Sequence, residues 1–203
     1  MSDQREFWNE RFAKEGYFYG KEPNQYVASH IDTLEKGQSI LFLGEGEGRN
    51  AAYALTKGHT VTALDASDIG LAKAEALAHS LGFSLSLIHT DLEDWEPGEH
   101  YDAILCSFLH LAEPLRSDVF SKVIDHLKPG AIFAGEFFSI HQLPRTTGGP
   151  KDETLLYTAD ELRTLLEQTP CDILELCETE TELNEGRGHI GIASVVRMAV
   201  RKR

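Results

Sequence analysis

The sequence predicts an α/β protein built on a doubly wound, mostly parallel seven-stranded sheet with an antiparallel last strand. Three observations predict it. Short apolar runs recur at 40–43, 61–64, 85–88, 103–106 and 131–138, the pattern of parallel strands buried on both faces. Helical stretches at 51–56, 69–81 and 115–127 fall between them, so strand and helix alternate over some 100 residues. Two last runs, 172–177 and 190–200, flank a polar hairpin loop over 178–189, which makes the last strand antiparallel to its neighbour.

Taken in order, Asp3 followed by Glu6 reads as a helix start, and Trp8 and Phe12 share one face of that helix. A second helix carries Val27, Ile31 and Leu34 inward and ends near Gly37. The helix at 69–81 places Ile69, Ala72, Ala76 and Leu77 on one side, and the helix at 115–127 aligns Val119, Val123 and Leu127 before stopping at Pro129-Gly130. A loop over 142–152 holds Pro144, Gly148, Gly149 and Pro150. Thr158 with Glu161 then forms a capping box for a helix burying Leu162, Leu165 and Leu166. If the strand before the last is parallel to the others, the final hairpin sits at their carboxyl edge, where ligands bind in such sheets.

A chain of 203 residues is read as one domain, 1–203, with 1–36 as a helical cap. Its 41% apolar and 26% charged residues exclude a disordered or collagen-like chain. A net charge of −14 argues against nucleic acid as partner, since phosphates would be repelled by most of the surface. The basic end, Arg201 to Arg203, reads as a solvated tail. Three cysteines without a CxxC pair suggest neither a disulfide scaffold nor structural zinc. Charges within the first twelve residues leave no signal peptide, and no apolar run approaches membrane-spanning length. The expectation is a cytoplasmic protein, monomer or weak homodimer, with a small-molecule substrate and no membrane partner.

The first strand runs into Gly44-Glu-Gly46-Glu-Gly48-Arg-Asn50 at the start of a helix. Glycines there let the backbone turn tightly and approach a ligand, and the helix start offers free N–H groups. The dinucleotide fingerprint G-x-G-x-x-G is not met, because the third glycine comes one residue early and Arg49 takes its place. Glu45 and Glu47 make a poor bed for a pyrophosphate and suit a positively charged ligand. Asp65 ends the second strand, where a carboxylate can accept both ribose hydroxyls. Asp91 follows the third strand, placed to meet an adenine edge. Each aspartate has a plainer reading, as a helix or turn cap.

The ordered segments ILFLGEGEGRN, TALDAS, TDLEDW and YDAILCSFLHL resemble the successive motifs of class I S-adenosylmethionine-dependent methyltransferases across about 39–138. YGKEPNQYV, GGPKDETLLYT and EGRGHIGIASVVR further resemble the small tellurite-resistance-type and thiopurine-type enzymes. The resemblance implies a Rossmann-like methyltransferase fold with S-adenosylmethionine as cofactor. It puts the methionine part near Gly44, Glu45 and Gly46, the ribose on Asp65 beside Ala66, and the adenine by Asp91 and Leu92. Ser107 and Phe108 border the sulfonium. Glu45 departs from the family, whose near relatives have a small residue or cysteine there. The acceptor it implies is a thiol or a chalcogen oxyanion such as tellurite or selenite.

Methyl transfer from a sulfonium needs positioning and water exclusion more than acid–base chemistry. A soft anion needs little else, whereas an oxygen or nitrogen nucleophile wants a base. Six of the eighteen aromatics stand in the first twenty residues. Phe7 and Phe12 read as packing, while Trp8, Tyr17 and Tyr19 are candidates for a lid, since aromatic faces attract cations. Of nine histidines, His110, His141 and His189 lie at the carboxyl edge; no metal site is expected from their spacing. His110 and His189 are candidate orienting or base residues, with Arg187, and Arg145 in the loop, offering positive charge to an anionic acceptor. Cys106, Val195, Val196 and Met198 read as core. Two other functions fit the same sheet: a cofactor-binding module without turnover, and a nicotinamide-dependent oxidoreductase, against which the early third glycine counts.

Overall fold

The structure is a computed structural model that describes residues 2–203, with side chains from Gln4 onward. In chain order it runs α1 Ser2–Phe12, α2 Gln25–Ile31, β1 Ser39–Leu43, α3 Arg49–Thr56, β2 Thr60–Asp65, α4 Asp68–Ser80, β3 Ser86–His89 and β4 Tyr101–Ser107. Then follow α5 Leu115–Asp125, β5 Leu127–Phe138, α6 Ala159–Leu166, β6 Cys171–Glu185 and β7 His189–Lys202. The seven strands form one sheet in the order β3-β2-β1-β4-β5-β7-β6. Neighbours from β3 to β5 are parallel, and β7 is antiparallel to both β5 and β6. The chain winds outward from β1 to β3, then crosses back to place β4 on the other side of β1, and the crevice at the carboxyl ends of β1 and β4 is where such folds bind ligands.

The central strands are apolar throughout because both faces are covered. Leu41, Leu43, Ile104, Phe133 and Met198 belong to one buried cluster with α5 and α6 residues such as Phe120 and Leu162. Ile40, Phe42, Ala103 and Leu105 belong to the other, with Val27, Ile31, Ala51 and Leu71 from α2, α3 and α4. Tyr157 stacks on Phe137 with centroids 4.5 Å apart, and burying rings of this kind stabilises by about 1.5–3 kcal/mol each. Thr158 caps α6 as expected, its side chain accepting from the N–H of Glu161.

Four details depart from the sequence reading. α2 ends at Ile31, short of Gly37, and Leu34 is only half-buried. In α4 the buried residues are Leu71, Ala74, Leu77 and Ala78, while Ala72 and Ala76 are exposed; with so many alanines, the helical period alone does not choose a face. α5 ends at Asp125, and Leu127 already belongs to β5, whose register against β4 shifts across Pro129-Gly130. Residues 178–185, read as loop, continue β6, and the hairpin turn shrinks to Gly186–Gly188. An edge strand tolerates the outward glutamates that made this stretch look like loop. The proposed cap Asp3 lies outside the residues whose side chains are described.

Candidate functional site

The glycine loop is tied into the protein on every side. Gly48 caps α3 with φ of +88°, and a Cβ there would sit 2.5 Å from the Cβ of Ala74 on α4. The third glycine comes early because the helix begins early and packs this closely. Gly46 has φ of +61°, with the Phe12 ring 2.8 Å from where its Cβ would be. The glutamates do not present free carboxylates to a ligand. Glu45 accepts from the N–H of Ala51 at 2.7 Å and from Asn50 Nδ2 at 3.3 Å, capping α3 from within. Burial, against these hydrogen bonds, pushes its carboxyl up to about 7. Glu47 accepts from the Phe18 N–H at 2.6 Å and pairs with Lys73 at 2.9 Å.

Asp65 stands at the end of β2 with one oxygen 2.7 Å from the Gly46 N–H and the other 2.8 Å from that of Ser67. Burial raises its carboxyl to about 6, although both hydrogen bonds favour the ionised form. The expected ribose acceptor thus also braces the glycine loop. Ala66, Asp91 and Leu92 follow on the same wall, and Asp91 accepts from the Glu93 N–H at 3.3 Å, the turn-capping role.

The opposite wall comes from β4 and the hairpin. Asn50 Nδ2 donates to Ser107 Oγ at 3.1 Å. Phe108 has φ of +54°, a backbone state that costs a non-glycine residue about 1–3 kcal/mol and is held by its surroundings. Its ring stacks on Phe138 at 4.4 Å and meets His189 edge-on at 4.5 Å. His110 lies parallel to Phe138 at 5.8 Å, and its Nδ1 has no hydrogen-bond partner. Burial, with the neighbouring His189, drives its pKa down to about 3. His189 Nδ1 is 2.8 Å from Glu185, which also pairs with Arg49 at 2.9 Å and accepts from Asn24 at 3.1 Å. Burial alone would raise the Glu185 carboxyl, but His189 and Arg49 outweigh it and hold it at about 2. An ionised carboxylate only accepts, so Nδ1 carries the proton and Nε2 is the open nitrogen. Burial also lowers the His189 pKa, keeping the ring neutral.

Two expected cations are elsewhere. Arg187 is at the exposed turn, reaching the Glu15 carbonyl at 2.7 Å and the Phe18 ring, and does not line the cavity. Arg145 pairs with Glu180 on the outer side of the hairpin. His141 is exposed beside Glu178. Cys106 is buried in β4, its thiol pushed up by burial, as a core residue would be.

The roof is the amino-terminal segment. Trp8, Phe12, Tyr19 and Gly20 line the cavity, with Trp8 stacked on Phe12 at 5.5 Å and Tyr19 against His189 at 4.6 Å. Tyr17 instead donates outward to the Lys73 carbonyl, and Phe7 is half-exposed. Lys73, donating to the carbonyls of Lys14 and Gly16, joins Glu47 and Arg187 in pinning this segment. Together these walls enclose about 500 Å³. Every expected cofactor residue borders that space, and so do His110 and His189. Sequence reasoning missed Asn24 and Glu185, which hold His189 and Arg49, and on the lining Leu155, Leu109, Leu111 and Leu115. Glu185 and His189, four apart across a Gly-Arg-Gly turn, were the available signal. Among the described residues no cluster of His, Cys, Asp and Glu is arranged to hold a metal, and no helix is long and apolar enough to cross a membrane.

Residues 40–130 match the methyltransferase domain family. That match spans just under half of the chain and is to a methyltransferase domain. The ubiquinone biosynthesis O-methyltransferase of Rickettsia canadensis is 26% identical over 107 residues, 52% of this chain and 44% of that protein. The chain thus matches less than half the length of that relative. In fold it is similar to TehB from Haemophilus influenzae, with TM-score 0.72 and 17% identity over 98% of this chain and 67% of the other. Magnesium protoporphyrin IX methyltransferase from Synechocystis, solved with S-adenosylhomocysteine, gives TM-score 0.73 and 16% identity over 100% and 99%. The family's cofactor is S-adenosylmethionine.

Proposed function

We propose that the whole chain is a small-molecule methyltransferase that binds S-adenosylmethionine along the carboxyl ends of β1 to β3 and its acceptor beneath α1 and the hairpin. The observation that carries this is the cavity with the glycine loop and Asp65 on one wall and His110 and His189 on the other. The residues fit the cofactor. Arg49 is the cation among the lining residues, and its buried Nη1 lacks a partner among the described residues, so it suits the carboxylate of the methionine part. Asp65 has lone pairs beyond its two backbone bonds for the ribose hydroxyls, and Asp91 and Leu92 suit the adenine. Gly44, Gly46 and Ser107 border the remainder, with Phe108 and Tyr19 offering aromatic faces to a sulfonium.

When bound, S-adenosylmethionine supplies an electrophilic methyl group. The chain's own part is to exclude water under Trp8, Phe12 and Tyr19 and to hold His189 by Glu185 in the tautomer that accepts a proton at Nε2. Residues 1–36 act in this reading as the cap of a single domain, working in the cytoplasm without nucleic acid or metal, as monomer or weak homodimer. The family resemblance makes a thiol or a chalcogen oxyanion the first acceptors to test, and the named relative's O-methyl transfer adds a hydroxyl. Calorimetric titration with S-adenosylmethionine, followed by S-adenosylhomocysteine release over thiols, phenols, selenite and tellurite, tests the proposal. Binding of NAD instead would refute it. Binding of S-adenosylmethionine with no release over the panel would favour a cofactor-binding module.

A further inference from the structure

We infer that the acceptor is a neutral, mainly apolar molecule bearing a weakly acidic S–H or O–H, and that an oxyanion is not the substrate of this site. The inference rests on the methyltransferase reading and chooses within it. Besides Phe108, the cavity lining includes Leu109, Leu111, Leu115, Leu155 and Trp8. Glu113 and Asp118 border the cavity too. Among the described residues lining the whole cavity, the cation is Arg49, already paired with Glu185 at 2.9 Å. Nearby cations are spent elsewhere. Arg11 donates to Tyr19 Oη at 2.7 Å, and Arg116 donates to the carbonyls of Leu111, Thr154 and Leu156. An oxyanion entering here would lose its water and meet leucines and carboxylates, and burying a charge without a partner is strongly unfavourable. The net charge of −14 would repel it on approach as well.

A neutral acid has the opposite fit. Its apolar body replaces water against the leucines, and its proton has a destination. His189 is neutral, and its Nδ1–H is committed to Glu185 at 2.8 Å, which leaves Nε2 as acceptor. In the transfer the acceptor's sulfur or oxygen gains the methyl, and its S–H or O–H proton passes to Nε2. The electron pair of the broken carbon–sulfur bond stays on the cofactor's sulfur, which becomes a neutral thioether. His189 then releases the proton to water. An oxyanion would carry its negative charge into this pocket, where the lining offers no free cation to meet it.

The test uses the full chain saturated with S-adenosylhomocysteine and reads Trp8 fluorescence on addition of benzyl mercaptan, phenol, selenite or tellurite, then turnover with S-adenosylmethionine. Trp95 is buried away from the cavity lining, and Trp8→Phe identifies its background. Benzyl mercaptan or phenol should quench Trp8 and turn over with kcat/KM at least tenfold above either oxyanion. Leu155→Lys, at a half-buried site, should lower the aryl acceptor's kcat/KM tenfold or more and narrow the gap to the oxyanions. Selenite or tellurite turned over as well as the aryl acceptors would overturn the inference. So would intact S-adenosylmethionine binding with neither quench nor turnover for the aryl pair. Loss of S-adenosylmethionine binding by the wild type would strike the methyltransferase reading itself.

Discussion

The two halves of the cavity are built by different means. The wall on β1 to β3 is local: Gly44 to Gly48 follow β1, Asp65 ends β2, Asp91 comes two residues after β3, and Asp65 touches Gly46 through a single hydrogen bond of 2.7 Å. The wall beyond β4 is assembled from distant segments. Glu185, Arg49 and Asn24 meet across 136 and 161 positions of sequence, and α1 folds over them as a roof. The first wall offers backbone and carboxylates, the second apolar side chains around a shielded histidine. A cofactor common to a family is met by the local part, and an acceptor by the part that long-range packing defines.

The comparison breaks most sharply at Glu185. Glu185→Ala strands Arg49 and His189 in a buried site, and removing one member of such a pair costs about 3–5 kcal/mol. Denaturant unfolding should show that loss, and a change below 1 kcal/mol would mean the second wall is not held by this network. Glu45 tests the first wall. Its carboxyl is raised to about 7 from 4.5, so the folded state holds the proton more tightly and this group's contribution to stability falls as pH rises between those values. Glu45→Gln keeps the cap to Ala51 without the titration. Relative to wild type it should gain about 2–3 kcal/mol between pH 4.5 and 8, from about 1.4 kcal/mol per pKa unit. A constant difference across that range would remove the buried-carboxyl account.

Arg187 sharpens the boundary. It lies outside the cavity and donates to the Glu15 carbonyl, so Arg187→Ala should cost under about 1 kcal/mol of stability, as an exposed contact does. A tenfold fall in acceptor kcat/KM without a matching effect on the roof would return it to the site.

Legibility followed the same division. The parallel strands and the glycine loop were readable because each rests on neighbours in sequence: buried apolar runs, then glycine at a turn. The face of α4 was not, since alanine at 72, 74, 76 and 78 gives the period no contrast, and packing of Gly48 on Ala74 chose it. The 178–185 part of β6 was missed because an edge strand carries glutamate and threonine in alternation, as a solvated loop also does. The roles of Glu45 and Glu47 were misread because a carboxylate that caps a helix or holds a distant segment looks, in sequence, like one offered to a ligand. Glu185 escaped notice for want of any local reason to be buried.

The division of labour is tested most directly by calorimetric titration of S-adenosylmethionine into wild type, Asp65→Asn and His189→Ala. Wild type should bind one equivalent. Asp65→Asn should weaken binding by roughly tenfold or more, the 1.5–3 kcal/mol typical of hydrogen bonds to a charged group, while His189→Ala stays within twofold. Failure of the wild type to bind would contradict the account. Equal weakening by both substitutions would contradict it as well, by showing that cofactor and acceptor share one site without the boundary drawn between them.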